Sequence, residues 1–127
     1  PNPGHYISTA EMLSKTGPGG IEQALAVLDK GNAQMGITPQ LGQYAIELEL
    51  QRGRPDRAMV RQDQLQPILG DTPDWKVDKA ALLLQTGDRE QAVALLEAAS
   101  SQLQTLRKTP ARLATQDRID RLLNAPG

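Results

Sequence analysis

The sequence predicts an all-α stack of helix–turn–helix units, and three observations predict it. A glycine and an alanine recur with a period of 34 residues, at Gly19, Gly53 and Gly87 and at Ala24, Ala58 and Ala92. A Thr-Pro pair repeats with the same period, at Thr38-Pro39 and Thr72-Pro73. The composition is rich in Leu and Ala but has no Phe, one Trp (Trp75) and two Tyr (Tyr6 and Tyr44). Leu and Ala favour helix, whereas aromatic and β-branched residues favour strands. A fixed period of this length is the mark of stacked repeat architectures.

Each marker has a physical role. The turn glycine stands where one helix ends, since glycine tolerates the left-handed conformation that helix ends often need. An acidic residue follows it, Glu22, Asp56 or Glu90, in the first turn of the next helix, where the dipole favours negative charge. Pro55 is allowed there because its missing N–H would be unpaired anyway. The alanine five positions after the glycine is small, so two helix backbones can approach closely. Thr38 and Thr72 read as N-caps with proline at the first helical position.

These markers predict helices at about 5–16, 20–35, 39–52, 54–69, 73–86, 88–107 and 110–124. The last follows a third Thr-Pro pair, Thr109-Pro110, 37 residues after Thr72-Pro73. In the second helix of each pair Leu25, Leu28, Val93 and Leu96 carry an inward stripe at helical spacing, with Gly31, Leu65 and Ala99 one turn further on. Gln62 stands where Leu28 and Leu96 stand in the other units.

With this period, and a glycine followed five residues later by alanine, the chain resembles the tetratricopeptide repeat family. The resemblance covers about residues 5–107 as three units, near 5–36, 37–70 and 71–107. It implies a right-handed superhelix of antiparallel helix pairs within a single domain, 1–127. Its concave face would take protein partners, and helix 110–124 would cap the last repeat. The first helices depart from the pattern. Ala45 and Leu48 have their counterparts Ala80 and Leu83 at a spacing of 35, not 34. Trp75 is one position from the family's aromatic, and Lys79 occupies a position usually apolar. The clamp of Lys, Asn and Arg with which some such domains grip a C-terminal carboxylate is not matched, since these helices offer Glu47, Glu49, Asp74 and Asp78.

The length suits one domain with a core that needs no staples. Net charge is -1, so no bulk basic field points to nucleic acid. Charge is nonetheless uneven. Residues 1–50 set Lys15 and Lys30 against Glu11, Glu22, Asp29, Glu47 and Glu49, whereas residues 101–127 set Arg107, Lys108, Arg112, Arg118 and Arg121 against Asp117 and Asp120. There is no cysteine for disulfides or thiolate metal sites, which leaves the compartment open. No apolar run approaches the roughly 18 residues of a membrane span. The chain begins Pro1-Asn2-Pro3-Gly4, which reads as a trimmed, processed or partial chain.

Catalytic raw material is sparse. His5 is the single histidine, with no acidic residue at helical ligand spacing, so neither a metal site nor a His-activated nucleophile is expected. Ser8, Ser14, Ser100 and Ser101 read as helix-end or surface residues. Gly17-Pro18-Gly19-Gly20 follows a helix and lacks the Lys-Ser/Thr ending of a phosphate loop, so it reads as an inter-helix turn. Glu47 and Glu49 cannot share a helix face. Asp74 and Asp78 can, and read as solvated. Gln62, Gln64 and Gln66 do not interleave with aromatics for base stacking.

The expectation is a scaffold, not an enzyme, with no cofactor. It would bind a protein or peptide through a concave face of Tyr6, Leu13, Ile46, Glu49, Val77 and Leu84, placed by taking the turn glycines as phase markers. The alternative for these residues is packing against neighbouring repeats. The alternative for the chain is an accessory region of a longer protein, serving self-association or docking.

Overall fold

The computed structural model describes residues 3–125 and is helical throughout, with no strand among them. Eight helices follow in order: α1 Pro3–Ser14, α2 Gly20–Met35, α3 Pro39–Gln51, α4 Pro55–Gln64, α5 Gln66–Leu69, α6 Pro73–Gln85, α7 Arg89–Gln104 and α8 Pro110–Leu123. Their packing pairs α1 with α2, α3 with α4 and α6 with α7. The all-α architecture of helix pairs is the one the repeat predicts.

The punctuation acts as read. Thr38, Thr72 and Thr109 each precede a proline at the helix start. Each side-chain oxygen accepts from the backbone N–H three residues on, those of Leu41, Trp75 and Arg112, at 3.2, 3.3 and 3.2 Å. Such a bond satisfies one of the donors that a helix start leaves unpaired. Gly19, Gly53 and Gly87 have φ of 83, 75 and 89°; Gly53 and Gly87 follow the ends of α3 and α6 as expected, whereas Gly19 is the N-cap of α2, five residues past the end of α1. Gly36 and Gly70, again 34 apart, have φ of 81 and 64° and lie in the connections to α3 and α6. Ala24, Ala58 and Ala92 are fully buried.

One expected helix is broken. The span 54–69 divides at Leu65, whose N–H turns back to the Gln62 carbonyl. Pro67 explains the break, because it lacks an N–H and its ring clashes with the carbonyl four residues back. The span 88–107 is likewise shorter, ending at Gln104 with Thr105 as its cap.

The chain divides into two compact units, Pro1–Ile68 and Leu69–Gly127. In the first, Ala10, Ala24, Leu25, Leu28, Leu41, Ala45 and Leu48 form a continuous apolar core. Helices approach closely where side chains vanish. A Cβ on Gly20 would stand 2.3 Å from the Leu13 carbonyl oxygen, so α1 and α2 require glycine there. In the second unit Trp75, Val77, Ala80, Leu82 and Leu83 of α6 are buried, with Ala92, Leu96 and Ala99 of α7 and Ile119 of α8. Helix α8 packs on both α6 and α7. Arg89 holds its end by donating to the Leu123 carbonyl at 3.0 Å, an acceptor the helix itself cannot satisfy.

Candidate partner-binding surfaces

The six expected contact residues fall into different environments. In the first unit, Tyr6 is half-buried and lies across α2. A Cβ on Gly31 would meet its ring at 3.0 Å, and its hydroxyl donates to Gln34 Oε1. Leu13 is half-buried beside the core. Ile46 retains 9% of its surface and Glu49 none. In the second unit Val77 is fully buried, while Leu84 is partly open. The side chains with surface to offer are thus Tyr6, Leu13 and Leu84.

Glu49 is instead the centre of a charge network inside the first unit. Arg52 Nε donates to Glu49 Oε1 at 2.6 Å, and Arg61 Nε to Oε2 at 2.8 Å. Arg61 then turns both terminal nitrogens to Asp29, at 2.8 and 3.3 Å. Arg52 reaches Glu22 at 3.8 Å. Burial pushes the Glu49 carboxyl up, but its bonds to Arg61 and Arg52, and their charges, bring it below the ordinary value. Burial likewise lowers Arg61, and its bonds to Asp29 and Glu49 more than reverse this. The network consumes most of the acidic excess noted for residues 1–50.

In the second unit, Asp74 is exposed and Asp78 half-buried, and each also reaches a partner on α8. Thr115 donates to Asp74 at 2.8 Å, and Arg118 pairs with Asp78 at 2.5 Å. Sequence offered a signal here, since both carboxylates share one face of α6, but not their partner helix. Lys79, at its unusual position, lies 5.3 Å from the centre of the Trp75 ring. Where α7 ends and α8 begins, two cavities of about 450 and 230 Å³ share Leu103 and Arg112 in their walls. Sequence reasoning passed over this corner because Leu103, Leu106, Lys108, Arg112 and Leu113 belong to no repeat marker, and it read Thr72, Pro73 and Thr109 only as helix starts.

No group of three or more His, Cys, Asp or Glu among the described residues could hold a metal ion. No described helix is long and apolar enough to cross a membrane.

No family model and no curated sequence matches the chain. Solved structures do match its fold. The Yersinia enterocolitica type III secretion translocator chaperone SycD aligns at TM-score 0.73 and 17% identity, over 95% of this chain and 88% of that one. PcrH, solved in complex with the chaperone binding region of PopB, aligns at 0.72 and 13%, over 94% and 93%. TTC0263, a tetratricopeptide protein of Thermus thermophilus, aligns at 0.65 and 24%, over 95% of this chain and 60% of that one. The neighbours are chaperones and a repeat protein. The chain has the helical-repeat fold of tetratricopeptide type.

Proposed function

We propose that this chain is a protein-binding module that holds a segment of another polypeptide and performs no reaction of its own. One observation carries the reading: PcrH, whose fold runs along nearly all of this chain, was solved holding the chaperone binding region of PopB. The chemistry of the chain is in keeping with it. The most buried charges are spent on one another, and the single histidine lies exposed on α1. Stacked helix pairs offer long grooves between elements, suited to an amphipathic helix or an extended segment. In this reading the three repeats act as one domain. Of the expected contact residues, Tyr6 and Leu13 in the first unit and Leu84 in the second each keep surface for such contacts, while Ile46, Glu49 and Val77 are buried.

Selection from a random peptide library tests this. A synthetic copy of the enriched sequence should bind saturably, one per chain, and Leu13→Asp or Leu84→Asp should weaken it. Failure to enrich any sequence, or binding indifferent to both substitutions, defeats the proposal. A second reading is self-association, favoured by the SycD neighbour having been solved as an alternative dimer. A protein whose light-scattering mass doubles at micromolar concentration supports it.

A further inference from the structure

We propose that the corner between α7 and α8 is a docking site for an acidic amphipathic segment of a partner polypeptide, one whose apolar residues are flanked by Asp or Glu. The inference rests on the protein-binding reading and names a partner chemistry for it. Its floor is apolar. Leu103 lines both cavities, Leu106 is 39% exposed and Leu113 is 50% exposed. Its rim is cationic. Lys108 and Arg112 line the smaller cavity, and Arg107 is exposed in the turn beside them.

These cations are not committed to acids among the described residues. Arg107 and Lys108 make no ion pair among the described residues, and Arg112 gives one nitrogen to the Arg107 carbonyl at 2.7 Å. The contrast with the first unit is direct, where Arg52 and Arg61 are both held by carboxylates. The one acid in the walls, Asp74, belongs to the larger cavity and already accepts from Thr115. Unpaired cations around exposed leucines complement a segment that presents carboxylates around an apolar stripe. No aromatic ring lines either cavity, so the corner lacks the stacking platform that single-stranded nucleic acid uses.

The test uses the full chain and two labelled synthetic helices, one with a leucine stripe flanked by Glu and its counterpart flanked by Lys, followed by fluorescence anisotropy. The Glu peptide should bind, and the Lys peptide should not. Lys108→Glu and Leu113→Asp should each weaken the Glu peptide by about tenfold, as loss of a charge contact or an apolar anchor does. Both side chains are exposed, so circular dichroism should show intact folding. Arg121→Glu, an exposed cation of α8 outside the cavity walls, should leave affinity unchanged. The Arg107→Glu/Lys108→Glu variant should gain binding of the Lys peptide. Absence of Glu-peptide binding, equal binding of both peptides, or equal weakening by Arg121→Glu would overturn the proposal. So would a single-stranded oligonucleotide that binds through Lys108 and is indifferent to Leu113→Asp. If library peptides still bind and depend on Leu13 or Leu84, only the α7–α8 site has failed. If no polypeptide binds at all, the protein-binding reading has failed with it.

Discussion

Arg61→Ala is the sharpest perturbation of the first unit. Arg61 bridges Glu49, which is 0% exposed, and Asp29, whose side chain is 57% exposed. Its removal strands Glu49 Oε2 while Arg52 still holds Oε1. Breaking a buried pair from one side costs about 3–5 kcal/mol, and the retained Arg52 bond puts this case at the lower end, about 3 kcal/mol. The exposed Asp29 pair adds about 0.2–1 kcal/mol. The expected total, about 3–4 kcal/mol, is a large part of the roughly 5–15 kcal/mol by which a domain is stable. Urea unfolding followed by circular dichroism measures it. Asp29→Asn, as control, should lose no more than about 1 kcal/mol. Replacing both partners, Glu49→Leu with Arg61→Leu, should recover most of the loss, since an apolar pair avoids burying charge. An Arg61→Ala protein within about 0.5 kcal/mol of wild type would refute the network's role, a threshold set by the range of ordinary surface substitutions. The same group has a pH signature. The folded carboxyl lies below its ordinary value of 4.5, so its stabilisation is complete above that pH and is lost as pH falls through the folded value. The stability gap between wild type and Glu49→Gln should therefore shrink on acidification below about pH 4.5.

Further outcomes follow from other contacts. Ala58→Arg or Ala92→Arg should unfold the chain or nearly so, because both alanines are fully buried and an unpaired cation there costs several kcal/mol; a melt within a few degrees of wild type speaks against close packing. Gly20→Ala should cost about 1–3 kcal/mol, since the new methyl meets the Leu13 carbonyl oxygen at 2.3 Å, and thermal unfolding reads it. Thr72→Ala should cost about 1 kcal/mol by removing the cap to Trp75, with Thr72→Ser restoring most of it in the same melt. Truncation after Thr109 removes Ile119, which is 0% exposed, and bares the faces of α6 and α7 that α8 covers. That fragment should aggregate or melt well below the parent; an unchanged midpoint with a clean monomer peak in size exclusion would show that α8 is not a cap.

The candidate surfaces were less legible in the sequence than the fold. Taking the turn glycines as phase markers placed Glu49 on the open side of α3, where a carboxylate is expected. It is buried because two arginines surround it, Arg52 one turn away and Arg61 across in α4. The 35-residue offset between the two Ala-Leu pairs obscured the facing of α6. Helices α3 and α6 nonetheless begin and end 34 residues apart, and Ala45, Leu48, Ala80 and Leu83 are all buried. The α7–α8 corner was illegible for a different reason. The 101–127 charge excess was visible, but nothing in it told Arg118, which finds Asp78, from Arg107 and Lys108, which find no acid among the described residues.

What the sequence determined by itself is what acts over a few residues. Thr-Pro starts, left-handed glycine turns and small alanines are local requirements, each met within one helical turn or by the size of one side chain, so the 34-residue period announces the helix pairs directly. Pro67 is local in the same sense, although the repeat markers predict one helix, 54–69, across it. Tertiary structure decided whatever depends on a partner from another helix. Asp29 meets Arg61 across 32 residues, Thr115 meets Asp74 across 41, and Tyr6 spends its hydroxyl on Gln34 across 28. A charged side chain reads the same in sequence whether it is solvated or paired. Only the helix packed against it settles its burial, its protonation and whether any of its surface is left for another molecule.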